Sequence, residues 1–235
     1  MVSDTIRELW GAALDLFYPP RCVACQRSDA WLCQPCIDGS PRVEPPLCIR
    51  CGGRRARPLQ RLCPRCRRGA SLIERTRSPF YFEGPIRTAI HKLKYDGVTA
   101  LTGPLGGLLA DCWLTQSMSG DMIVPVALHR DRRRQRGFNQ AALLARELSE
   151  LVDVPVDEET LVRHRDTASQ VGLDFGQRRD NVRDAFRCTR TGLRDERVVL
   201  VDDVLTSGAT LEACAAALRE AGVSRVQALT VARAR

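Results

Sequence analysis

Lysine is almost absent from this chain: of its 36 basic residues only Lys92 and Lys94 are lysines, leaving 34 arginines. A GC-rich genome produces such a bias without any functional cause, so the arginine excess alone assigns nothing. Long apolar runs are missing too. No stretch approaches the roughly 18 consecutive apolar residues of a membrane span. Nor is there a basic leader followed by an apolar run. Asp4 and Glu8 interrupt Ile6, Leu9, Trp10, Ala13, Leu14 and Phe17, which is the spacing of an amphipathic helix and not of a secretion signal. These absences predict a cytoplasmic protein. No Gly-Lys-Thr or Gly-Lys-Ser is present for a Walker loop, and no Gly-x-Gly-x-x-Gly for a dinucleotide fingerprint. Histidine is scarce, and His91, His129 and His164 stand alone, so each reads as a surface or core residue before a proton shuttle.

What is present is unevenly placed. The chain carries +8, and residues 42 to 80 hold eleven arginines against Glu44 and Glu74, a local excess of nine. A basic field of this density favours phosphate-rich partners such as nucleic acid, a solvated charged face being the alternative. Residues 21 to 68, which overlap this stretch, are rich in cysteine. The pairs Cys22/Cys25, Cys33/Cys36, Cys48/Cys51 and Cys63/Cys66 are four Cys-x2-Cys knuckles. Each puts two thiolates on one tight turn, as two corners of a tetrahedral zinc site require. Disulfides are disfavoured in a reducing compartment, and a redox motif would occur once. Four knuckles imply two structural zinc ions with no open coordination position. Sequential and cross-braced pairing both remain open, and the seven residues between Cys25 and Cys33 favour the sequential one. Cys112, Cys188 and Cys214 fall in predicted helix or strand and read as ordinary core residues.

Three regions follow. Residues 1–20 form an amphipathic helix with a Thr5/Glu8 capping box, stopped by Tyr18-Pro19-Pro20. Residues 21–68 form a double zinc-ribbon module, too poor in large apolar side chains to fold without metal. Residues 69–235 have the composition of an α/β domain. Strands are predicted at 78–82, 122–126, 198–201 and 226–231. Helices are predicted from Pro85, over 104–114, over 140–151, and over 211–221 before Gly222. Residues 163 to 181 are polar and aperiodic, long for a connection, and read as a mobile lid. The order strand, helix, strand at the C-terminal end implies a parallel βαβ unit.

The segment Val198 to Thr210 carries the chemistry. A buried apolar strand leads into Asp202 and Asp203, which should emerge at its carboxyl end, where α/β sheets bind ligands. Thr206, Ser207, Gly208, Ala209 and Thr210 then supply hydroxyls, a flexible glycine and successive amides where a helix begins. A phosphate monoester fits such a nest.

These thirteen positions resemble the type I phosphoribosyltransferase signature. In that motif the two acids hold the ribose 2′ and 3′ hydroxyls and the loop holds the 5′-phosphate. The whole chain resembles the ComF family, linked with DNA uptake in natural competence. The resemblance rests on the four knuckles, Leu93-Lys94-Tyr95, Val124-Pro125-Val126, Arg136-Gly137-Phe138-Asn139-Gln140, Thr167-x-Ser169-Gln170, Arg178 with Asn181, Ala185-Phe186, and the phosphate loop. Ala127 and Ser207 depart from it, where proline and threonine are usual.

The resemblance implies a parallel α/β sheet with flanking helices behind a small zinc-ribbon module. It implies phosphoribosyl pyrophosphate, or a related 5′-phosphate, as ligand, with Mg²⁺ on the pyrophosphate. Val126 to His129 would approach the pyrophosphate, and Thr167 to Asn181 would form a hood. Asp202, Asp203, Lys94, Gln170 and Arg178 would line the reacting centre. Single-stranded DNA, gripped by the arginine-rich second half of the ribbon module, and competence helicase or recombination proteins would be partners. No segment identifies an acceptor base, so a ligand-binding DNA-uptake protein and an active phosphoribosyltransferase of nucleotide salvage both stand.

Overall fold

The computed structural model describes residues 19–55, 59–165 and 184–235. The amphipathic helix, Arg57 and the hood residues Thr167, Ser169, Gln170, Arg178 and Asn181 lie outside the described residues.

The core is a parallel sheet. Its strands are β1 (Arg75–Arg77), β2 (Phe80–Tyr81), β3 (Met122–Pro125), β6 (Arg197–Leu205) and β7 (Arg225–Arg233). The order is β1-β7-β6-β3, with β2 continuing beside β7. A separate antiparallel pair joins β4 (Leu161–Arg163) to β5 (Phe186–Cys188). The run Val198 to Val201 is apolar throughout because both faces of β6 are covered, as parallel sheets require. Side chains alternate. Val199, Val201, Leu229 and Val231 meet the helices Gly84–Tyr95, Thr102–Thr115 and Gln140–Val152. Val198, Leu200, Val226 and Ala228 meet Leu211, Cys214 and Leu218 of the helix Ala209–Glu220 on the other face.

The expected strand at 78–82 is divided. Pairing with β7 begins earlier, at Arg75, and breaks around Ser78-Pro79. Pro79 has no N–H to donate to the ladder, which explains the interruption. The lid expected from residue 163 starts on a strand that aperiodic sequence did not reveal: Arg163 pairs with Phe186. Arg130–Arg136 forms a short helix ended by Gly137 in the left-handed region at φ 85°. Cys112 and Cys214 are buried as expected, while Cys188 is half-buried.

One glycine sets a helix spacing. A Cβ on Gly106 would stand 2.5 Å from Glu147 Cβ on the facing helix. Gly106→Leu is therefore expected to cost about 1–3 kcal/mol of stability by overpacking. A lower denaturant midpoint with an unchanged slope is the readout.

Candidate functional site

Asp202 and Asp203 lie on β6, two residues short of its end, because β7 runs beside it as far as the Leu205–Arg233 pair. Adjacent strand residues alternate in direction, yet the two carboxyl groups stay within hydrogen-bonding reach of each other. Asp203 does not emerge as expected: it is buried and meets the Nζ of Lys94, from the last turn of the helix Gly84–Tyr95. Asp202 is half-buried and accepts a 2.8 Å hydrogen bond from the Asp203 N–H.

The charges adjust to this crowding. Burial and then the neighbouring Asp203 charge push the Asp202 carboxyl well above its ordinary range. Burial acts on Asp203 in the same direction, but the Lys94 ammonium outweighs it and holds Asp203 below that range. Burial alone would lower the Lys94 ammonium, yet Asp203 and then Asp202 raise it. Of the two lysines, Lys92 points elsewhere, to Asp96 at 2.5 Å on the surface.

Three residues past Asp203 the chain turns into the loop Thr206 to Thr210. Gly208 takes φ 81°, a left-handed conformation open to glycine at no steric cost, and it is the N-cap of the helix Ala209–Glu220. Ser207 Oγ accepts from the Ala209 N–H at 3.3 Å. The loop thus sits at the positive end of a twelve-residue helix, beside the two aspartates. On its other side is the turn after β3. Val126 N–H donates to Val201 carbonyl at 2.9 Å, and Asn139 Nδ2 donates to Val126 carbonyl at 3.0 Å. Asn139 also caps its own helix by accepting from the Ala141 N–H. That one side chain therefore ties the turn to the helix Gln140–Val152.

The basic stretch before it is divided in its contacts. Arg136 pairs with Gln140 and covers the Tyr95 ring, while Arg134 is 3.9 Å from Asp131. His91 stacks between Phe82 and Tyr95, and His129 is buried and accepts from the Asp131 N–H.

The knuckles close in sequence order. Cys22, Cys25, Cys33 and Cys36 form one group and Cys48, Cys51, Cys63 and Cys66 a second, each with its sulfurs within 4.8 Å of one another. No disulfide is present among them. Cys25 and Cys33 Sγ are 3.5 Å apart, and Cys51 and Cys63 Sγ 3.8 Å. A zinc tetrahedron with Zn–S of about 2.3 Å needs sulfurs about 3.8 Å apart. The thiols of each group divide: burial and the neighbouring thiols push Cys36 and Cys66 up, and Cys33 and Cys51 are raised as well, while one thiol in each group is lowered. Burial raises the Cys22 thiol, but the amides of Cys33, Cys25 and Ala24 outweigh it and leave it at about 6. Cys48 reaches about 6 in the same way, through the amides of Cys63, Cys51 and Arg50. All eight cysteines fit structural zinc with no vacant position.

The two ribbons dock differently. Cys22, Leu32, Cys33 and Ile37 join the core cluster that contains Ile86 and Ile90. The second ribbon is pinned to the sheet by polar contacts: Thr76 N–H to Arg50 carbonyl at 2.6 Å, and Arg233 Nη1 to Cys51 carbonyl at 2.6 Å. Arg54, Arg61, Arg65, Arg67 and Arg68 are exposed on it. Arg50 instead donates to the Cys66 and Gly69 carbonyls, and the Nε of Arg55 is buried. One contact was not legible in the sequence: Arg65 of this ribbon donates to the Ser207 carbonyl of the phosphate loop.

Comparison with known proteins agrees with this architecture. Residues 134–235 match the Phosphoribosyl transferase domain family, and residues 13–67 match the Double zinc ribbon domain family. The chain is 31% identical over 221 residues to DNA utilization protein YhgH of Escherichia coli O157:H7, covering 90% of this chain and 96% of that protein. It is 39% identical over 116 residues to Competence protein F of Haemophilus influenzae, covering 48% of this chain and 51% of that protein. It is 23% identical over 206 residues to Competence protein ComFC of Bacillus subtilis, covering 83% and 81%. With both domain types in this order and a relative matched along nearly its whole length, the chain belongs to the ComF family, a type I phosphoribosyltransferase-like domain preceded by a double zinc ribbon.

Proposed function

We propose that the chain binds phosphoribosyl pyrophosphate, or a ligand sharing its 5′-phosphate and ribose, and handles single-stranded DNA during DNA uptake in the cytoplasm. Residues 69–235 would form the ligand-binding domain and residues 21–68 the module that meets DNA. Competence helicase or recombination proteins would be its neighbours.

The observation that carries this reading is the juxtaposition on one sheet edge of Asp202, Asp203 and a loop of amides and hydroxyls opening the helix Ala209–Glu220. The loop would accept the 5′-phosphate. Asp202 would take ribose hydroxyl protons as hydrogen bonds, with Asp203 and Lys94 setting its field. The turn after Val126 would present amides to the pyrophosphate, with Gln170 and Arg178 proposed on the hood. Bound Mg²⁺ would neutralise pyrophosphate charge and help it leave, if an acceptor is present. Titration calorimetry with phosphoribosyl pyrophosphate and Mg²⁺ tests the ligand. Saturable binding is expected, and none at millimolar ligand would overturn the reading.

Binding should tighten as pH rises. Asp202 keeps its proton to higher pH than a free aspartate, and an ionised carboxylate is the better acceptor for ribose hydroxyls. Binding then releases a proton, so the Kd is expected to fall as pH is raised from the ordinary carboxylate range to above it. Without ligand the sign reverses: the part of stability that depends on protonated Asp202 is full below the unfolded carboxylate pKa and is lost as pH rises. A flat Kd over that range in wild type would count against Asp202 as the ribose acceptor.

For DNA, the exposed arginines of the second ribbon support the reading. Replacing Arg54, Arg61 and Arg67 together by alanine should weaken binding to a single-stranded oligonucleotide. It should also reduce the slope of log K against log salt by about 2, at roughly 0.7 per phosphate contact. Fluorescence anisotropy across a salt series checks this, and an unchanged slope would remove these side chains from the interface.

A further inference from the structure

We propose that Arg65 is a positioning residue for the phosphate loop, so that the second zinc ribbon is a working part of the phosphoribosyl site and not only its neighbour. This rests on the reading of Thr206 to Thr210 as the 5′-phosphate loop.

The geometry begins with the peptide between Ser207 and Gly208. Arg65 Nη2 donates to the Ser207 carbonyl. In a trans peptide the C=O and the following N–H point in opposite directions within one plane. Holding the Ser207 carbonyl toward the ribbon therefore turns the Gly208 N–H away from it. That amide is one of the donors a phosphate would need. Gly208 is also the residue with positive φ, the point where the loop is freest to rotate. Without the guanidinium, the same peptide can flip and present its carbonyl to an anion.

The arginine itself is held by the metal site. It lies on the short helix Pro64–Arg68, between Cys63 and Cys66 of the second tetrad. The chain a few residues past that helix is tied to the loop's own helix by a second tether. Glu212, in the first turn of Ala209–Glu220, accepts from Ser71 Oγ at 2.5 Å and from Leu72 N–H at 3.1 Å. The opposite side of the ribbon is seated without clearance: a Cβ on Gly52, which has φ 65°, would stand 2.5 Å from the Thr76 carbonyl oxygen. A cavity of about 690 Å³ separates ribbon and helix, and Arg65, Ser207 and Gly208 line it. The guanidinium also brings positive charge to the loop, where a dianionic phosphate gains from it.

Two consequences follow. Ligand affinity depends on Arg65, and, because coupling is reciprocal, ligand stabilises the second zinc site but not the first. Calorimetry with ribose 5-phosphate, and with phosphoribosyl pyrophosphate plus Mg²⁺, is run on wild type and Arg65→Ala, with zinc content measured in each. In the same proteins zinc release to a colorimetric chelator is followed with and without ribose 5-phosphate. Arg65→Ala is expected to keep two zinc ions and to lose about tenfold in affinity for both ligands alike, since both carry the 5′-phosphate. Ligand should slow release of one of the two zinc ions in wild type and neither in Arg65→Ala. If the alanine variant loses zinc, Arg65→Lys, which keeps charge and stem but not the planar fork, replaces it and should lose about threefold for both ligands. Wild type failing to bind ribose 5-phosphate would sink the loop reading itself. Wild type binding it with the variant equally tight, or ligand protecting both zinc ions equally, would leave that reading intact and overturn the role of Arg65.

Discussion

Asp203→Asn is expected to destabilise the protein by about 3–5 kcal/mol, because it leaves the ammonium of Lys94 in a largely buried position without its counter-charge. The Lys94 side chain is only 19% exposed and that of Asp203 3%, so solvent replaces little of the lost interaction. The same substitution should weaken phosphoribosyl pyrophosphate binding. Stability and binding can be separated, since replacing both partners of a buried pair by apolar residues is often neutral. Asp203→Leu with Lys94→Met is expected to recover most of the stability and none of the affinity. Denaturant midpoints and calorimetry on wild type and these two variants give the comparison. Binding restored along with stability would mean that the pair acts only as a structural tie.

Loss of a zinc ligand should have the other large effect, and it should differ between the ribbons. Structural zinc contributes about 10–16 kcal/mol in small zinc modules. Cys22→Ser removes a ligand from the ribbon whose Leu32 and Ile37 share a core with Ile86 and Ile90. Unfolding of the main domain at lower temperature is therefore expected. Cys48→Ser opens the second tetrad, which meets the sheet through Arg50 and Arg233 and the phosphate loop through Arg65, so a smaller drop in melting temperature and a larger loss of ligand affinity are expected. Both variants should retain about one zinc per chain against two in wild type. Metal analysis with thermal melts reads this out, and equal effects from the two substitutions would contradict the different docking of the ribbons.

Much of this architecture was legible because its signals are local. The four knuckles fix their chemistry by spacing, and the seven-residue gap between Cys25 and Cys33 already favoured the sequential pairing that the structure adopts. The apolar run Val198 to Val201 marked a strand covered on both faces, and Gly222 marked the end of the last helix. What failed depended on distant partners. The extension of β6 through Leu205 comes from β7 running beside it, and that buried Asp203 where solvent was expected. The strand Leu161–Arg163 exists only by pairing with Phe186–Cys188 across the hood segment. Arg65 looked like any other arginine in the basic second half of the ribbon module. Nothing in its local sequence separates an arginine bound to the Ser207 carbonyl from Arg61 or Arg67 on the surface.

The central claim is that the edge built from Asp202, Asp203 and the loop after them is a phosphoribosyl site. Calorimetric titration of phosphoribosyl pyrophosphate with Mg²⁺ into wild type and into Asp202→Asn/Asp203→Asn, each verified as folded, tests it most directly. Saturable binding by wild type, weakened at least tenfold in the double variant, is the predicted result. Equal affinity in both proteins would contradict it.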